Sequence, residues 1–138
     1  MLRFPNFGEC EAWLRRPSPD DPRGAFGLVQ LCANTPYYPD GRVAVKILRT
    51  WGSHRFLWEV QMLSIAQGHP AINKLLDIVR CPWEPAGTEP ELALVLEACS
   101  ESLQTSWRSG RRSGPTELRR GFQDMFSALD HLHSRELL

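Results

Sequence analysis

Lysine is almost missing from this chain. Its 138 residues include 14 Arg but only two Lys, Lys46 and Lys74. Other scarcities narrow the reading further. No apolar run approaches the 18 residues a membrane-spanning helix needs. The opening Met1-Leu2-Arg3-Phe4-Pro5 does not lead into the apolar core of a signal peptide. Lys plus Arg and Asp plus Glu number 16 each, so the net charge is zero. A chain without a basic excess is not expected to bind nucleic acid or an anionic membrane surface. The four cysteines, Cys10, Cys32, Cys81 and Cys99, form no C-x-x-C pair. Zinc ligands cluster, so no metal site is expected from them, and free thiols in a reducing compartment are the simplest reading. That places the expected protein inside the cell, in cytoplasm or nucleus. His131 and His133 are two residues apart and would point to different faces of a helix, which argues against a metal pair.

What is present is enough for one domain or part of one. Hydrophobic content of 42% and charged content of 23% are those of an ordinary globular protein. Residues 1–23 hold Pro5, Pro17, Pro19 and Pro22, and are expected to be irregular, with at most a short helix around Glu11 to Arg15. Ala25 to Cys32 and Arg42 to Leu48 read as strands. Pro39-Asp40-Gly41 between them is a turn signal, so the two are expected to form a hairpin with a long connection.

Ser53 to Gln67 reads as a helix. Phe56, Val60 and Leu63 recur at helical spacing, Ser53 is a candidate N-cap, and Gly68 is the stop before His69-Pro70. Ile72 to Arg80 and Leu92 to Ala98 read as two more strands. The run Leu92-Ala93-Leu94-Val95-Leu96 is apolar without alternation, as expected of a strand covered on both faces. Residues 100–114 are rich in Ser, Gly and Arg and read as a connector. Pro115-Thr116-Glu117 opens a last helix whose apolar stripe is Leu118, Phe122, Met125, Leu129 and Leu132. The expected class is therefore α+β, in the order strand, strand, helix, strand, strand, helix.

The chemistry-bearing motif is Val43-Ala44-Val45-Lys46, with Glu59 thirteen residues on. Lys is a compact point charge on a slender stem, whereas the planar Arg fork does not fit the same slot. A chain that otherwise uses Arg has thus placed a Lys behind a β-branched strand. The plain alternative is a strand-edge Lys with its tip in water. Upstream, Gly24-Ala25-Phe26-Gly27-Leu28-Val29 contains glycines that let the backbone fold tightly and bring N–H groups near an anion. An ordinary hairpin turn would look the same in isolation. A glycine loop, a strand Lys and a helix Glu in that order are more specific together than any one of them.

From Gly24 to Leu138 the chain resembles the first half of a eukaryotic serine/threonine protein kinase domain. Val45-Lys46-Ile47-Leu48, Gly68-His69-Pro70-Ala71-Ile72 leading to Asp77-Ile78-Val79, and Ser127-Ala128-Leu129-Asp130-His131-Leu132-His133-Ser134 are most similar to casein kinase II catalytic subunits. These lie within the wider group that includes cyclin-dependent kinases. The resemblance implies an irregular segment at 1–23, a kinase-type N-lobe and hinge at 24–99, and a connector with the first C-lobe helix at 100–138. The lobe would be a twisted antiparallel sheet with one packed helix, in a domain truncated before its catalytic loop.

The resemblance also implies roles. Lys46 would hold the α- and β-phosphates of ATP and Glu59 would hold Lys46. Gly24 and Gly27 would form the loop over the phosphates, with Phe26 capping it. Val29 and Ala44 would lie above the adenine. Leu96 would be the gatekeeper, and backbone groups of Glu97 and Cys99 would bind the adenine edge. Mg²⁺ accompanies ATP in the family, but the Asp and Asn that hold it there have no counterpart among these 138 residues. Nor does the H-R-D catalytic loop.

Two further departures stand out. Pro22 occupies the place of the first loop glycine, and Thr50-Trp51-Gly52-Ser53-His54 replaces a basic cluster. The resemblance therefore allows two functions: the ATP-binding part of a kinase, catalytically incomplete in this chain, or a non-catalytic module that engages a regulatory subunit. A partner covering the last helix would suit either. An unrelated α+β protein is the third reading.

Overall fold

The computed structural model describes residues 13–18, 23–24, 27–38, 41–48, 53–83, 91–100 and 102–137. Five strands form one antiparallel sheet: β1 (Arg23–Gly24), β2 (Gly27–Ala33), β3 (Arg42–Leu48), β4 (Leu75–Arg80) and β5 (Leu92–Glu97). Their spatial order is β1-β2-β3-β5-β4. Three helices accompany them: α1 (Ser53–Ala66), α2 (Leu103–Arg108) and α3 (Pro115–Ser134). The α+β class and the order of the main elements agree with the sequence pattern.

Alternation along the strands sorts side chains onto two faces. Leu28, Cys32, Val43, Val45, Ile47, Val79, Ala93 and Val95 are buried together on one face. The other face carries Ile78 and Leu94, which pack with Val60 of α1 and are flanked by Leu63, Leu75, Leu92 and Leu96. Strand β5 lies between β3 and β4 and contributes to both layers, with Ala93, Leu94 and Val95 all fully buried. This is why its sequence shows no alternation.

The first face is closed in part by the irregular stretch 13–18. Leu14 is buried in that core, with Trp13 beside it. The Trp13 ring meets Tyr37 edge-on at 5.8 Å. Gln30, buried on β2, donates from Nε2 to the Arg15 carbonyl at 3.0 Å. Tyr37 in turn donates its hydroxyl to Asp77 Oδ2 at 2.5 Å. Sequence composition points to a loose Pro-rich lead here, but one well-placed Leu and one hydrogen-bonded Gln attach these residues to the sheet.

Several boundaries differ from the sequence expectations. Strand β4 starts at Leu75, because residues 72–74 are taken up by the return from α1. The connector contains α2, capped by Ser102, whose Oγ accepts from the Thr105 N–H at 3.1 Å. The strand expected over Ala25 to Cys32 is observed as Gly27–Ala33, and Ala25 itself lies outside the described residues. Helix α1 ends at Ala66, one residue before the expected Gln67, and Gly68 beyond it has φ +97°, a conformation glycine adopts without the Cβ clash other residues meet. Beside it, Gln67 donates from Nε2 to the carbonyls of Leu63 and Asn73 and accepts from the Leu75 N–H at 3.0 Å. One side chain thus satisfies the helix end and starts the next strand.

Candidate functional site

The site is built on the sheet face that carries α1. Pairing of β2 with β3 sets Val29 opposite Lys46 and Leu31 opposite Ala44. Pairing of β3 with β5 sets Ala44 opposite Leu96 and Lys46 opposite Leu94. Cross-strand partners share a face, so Val29, Leu31, Ala44, Lys46, Leu94 and Leu96 all lie on one side. Helix α1 covers the β4–β5 half of that side through Val60 and Leu63. It leaves the β2 edge open. Val29 is 52% exposed and Leu31 55%, although both sit in a strand whose other face is buried.

Lys46 stands at the border between the covered and open halves. Its Nζ donates to Glu59 Oε1 of α1 in an ion pair, both side chains being partly buried. The pair joins strand to helix across thirteen residues of sequence and leaves the ammonium with further donor capacity. An uncovered apolar strip with a helix-anchored ammonium at its end is suited to a flat apolar ring carrying an anionic tail.

Gly24 and Gly27 are paired between the antiparallel strands β1 and β2. Phe26 lies outside the described residues, and so does Pro22. Leu96 ends the covered part of β5 and packs against the α1 cluster. At Glu97 the chain leaves the sheet. Its N–H donates to the Lys74 carbonyl at 3.0 Å, and its Oε1 accepts from the Lys74 N–H at 2.9 Å. The Glu97 amide is therefore committed and is no donor to a ligand. Cys99 follows as an exposed free thiol. Among the described residues, no group of three His, Cys, Asp or Glu side chains could hold a metal ion, and no helix is long and apolar enough to cross a membrane.

A second feature was not visible in the sequence. Helix α3 is joined to the end of α1 by histidines. The His131 Nε2–H donates to the carbonyls of Ala66 and Gln67. The Ala71 N–H donates to His69 Nδ1 at 3.0 Å, so His69 carries its proton on Nε2 and donates to Ser127 Oγ at 2.8 Å. The two rings lie 5.2 Å apart. The helix bearing Glu59 is thus held at its C-terminus by α3. Elsewhere, a shallow apolar hollow of about 550 Å³ on α2 is lined by Leu103, Gln104, Trp107 and Arg108. It contains none of the expected site residues.

Neither protein-family models nor curated proteins give a match to this chain.

Proposed function

We propose that this chain is a nucleotide-binding lobe of the protein-kinase type, with ATP as its ligand. The observation that carries the reading is the Lys46–Glu59 ion pair at the closed end of an open apolar strip. Val29, Leu31 and Ala44 offer the adenine a flat surface. Lys46 meets phosphate oxygens as a point charge, and Glu59 keeps the ammonium from swinging into water. Backbone groups after Leu96 bind the ring edge, the Cys99 N–H acting as donor.

The same residues limit the chemistry. Phosphoryl transfer to a protein Ser or Thr needs a base near the acceptor hydroxyl and groups that hold Mg²⁺. The 138 residues contain neither H-R-D nor D-F-G, and no described carboxylate other than Glu59 stands beside Lys46. The chain as given binds and orients; transfer requires groups it does not contain. A non-catalytic role as a partner-binding module is favoured by one separate observation, the uncovered apolar face of α3.

Calorimetry with ATP on the wild-type chain and Lys46→Met tests the first reading. Binding that weakens at least about tenfold in the variant supports it. Equal binding, or none in either protein, removes it.

A further inference from the structure

Helix α3 has no buried residue. Leu118, Phe122, Met125, Phe126 and Leu129 are between 41% and 69% exposed. They form one stripe, and it points away from the face occupied by Ser127 and His131, which contacts the end of α1. Five large apolar side chains over some four turns of helix are a surface that excludes water when covered.

The arrangement of residues around this stripe identifies what covers it. At 3.6 residues per turn, Arg119 and Asp130 fall within about 20° of each other on one flank. Gly121 and Ala128 fall equally close together on the opposite flank. Leu118 pairs with Leu132 about a midpoint at residue 125. Phe122 with Leu129, Arg119 with Asp130, and Gly121 with Ala128 share nearly the same midpoint. Apart from Phe126, these apolar, charged and small positions are reflected about nearly one point, which makes the helix complementary to itself run backwards. When such a helix packs on its own copy about a two-fold axis, each flank meets the same flank reversed.

We infer that α3 pairs antiparallel with α3 of a second copy of this chain, the two-fold axis passing near Met125. In that register Arg119 meets Asp130 of the second copy, twice in the dimer. Phe122 meets Leu129 of the copy, and Leu118 meets Leu132. Gly121 and Ala128 allow the backbones close approach on the other flank. In a parallel pairing each flank faces the opposite flank of the copy, so Arg119 and Asp130 would lie against the Gly121 and Ala128 side and find no opposite charge, whereas the antiparallel orientation pairs them. The surface lies apart from Lys46, and the pairing does not depend on nucleotide binding.

The test uses the full chain with Cys10→Ser and Cys99→Ser, so that the exposed native Cys99 thiol does not interfere. Light scattering is expected to give a dimer. Met125→Cys in this background is expected to oxidise to a homodisulfide. Leu118→Cys and Leu132→Cys are expected to cross-link when mixed and not when alone. Arg119→Asp should weaken dimerisation about tenfold, and Arg119→Asp with Asp130→Arg should restore it. Restoration by the double variant separates lost pairing from lost folding, and Lys46→Met should dimerise like the parent. A monomer at sub-millimolar concentration, an open-ended oligomer, cross-linking of Leu118→Cys with itself, or a double variant no better than the single overturns the inference.

Discussion

His131 of α3 donates its Nε2–H to the Ala66 carbonyl at 2.8 Å, across 65 residues of sequence. The last carbonyls of a helix have no partner within it, and here a side chain from another helix supplies one. Gln67 accepts from the same N–H at 3.1 Å. This contact fixes the C-terminal end of the helix that carries Glu59. His131→Ala is expected to lower unfolding stability by about 1–2 kcal/mol, the cost of a lost hydrogen bond to partly buried acceptors. A lower urea midpoint with an unchanged m-value would show it. An unshifted midpoint would mean that water replaces the imidazole at no cost.

Glu59→Gln separates positioning from stability. The Lys46–Glu59 pair is partly solvated, with side chains 24% and 35% exposed, so its loss should cost no more than about 1 kcal/mol. If Glu59 orients Lys46 toward phosphate, the same variant should weaken ATP binding about three- to tenfold. Melting curves and ATP titrations on one preparation measure both. A large drop in melting temperature with unchanged affinity would assign the pair to folding alone.

Leu14 is 4% exposed and belongs to the sheet core despite its Pro-rich surroundings. Leu14→Ala is expected to cost about 2–5 kcal/mol, as for a leucine removed from a packed core. Chemical denaturation gives the value directly. A change below about 0.5 kcal/mol, the range of ordinary surface substitutions, would show that residues 13–18 rest on the sheet without stabilising it.

Burial pushes the Cys32 thiol above its ordinary pKa, against the opposing pull of the Arg15 guanidinium. A raised pKa means that the folded state holds the proton more tightly than the unfolded chain. The contribution to stability is therefore complete below the unfolded pKa and is lost as pH rises through the folded one. Stability should be level with respect to this group at neutral pH and decline in the alkaline range. Cys32→Ser or Cys32→Ala should flatten that decline. A thiol reagent at neutral pH should modify exposed Cys99 quickly and Cys32 slowly. Equal rates would contradict the burial.

Elements whose signals are local were legible from residue pattern alone. Alternation and β-branching marked β3 over Arg42–Leu48, and the apolar run marked β5 as a strand covered twice. Helical spacing with Gly68 as stop marked α1, and Pro115 with a periodic stripe marked α3. The two candidate charges, Lys46 and Glu59, were legible because one of only two Lys in an Arg-rich chain is conspicuous behind a β-branched strand. Helix α2 was passed over because its Ser, Gly and Arg surroundings hid the Ser102 cap and the Leu103–Trp107 pair.

Tertiary structure decided everything that depends on which faces meet. Periodicity tells that a strand has two sides but not which side a helix will cover. Strand order and register place Lys46 on the α1 side and leave Val29 and Leu31 open. Leu14 has no periodic neighbours to announce its burial. The His131–Ala66 contact joins segments whose separation no local pattern spans. Side-chain period is a property of a few residues, whereas register, coverage and long-range hydrogen bonds arise only once the sheet has assembled and excluded water from its faces.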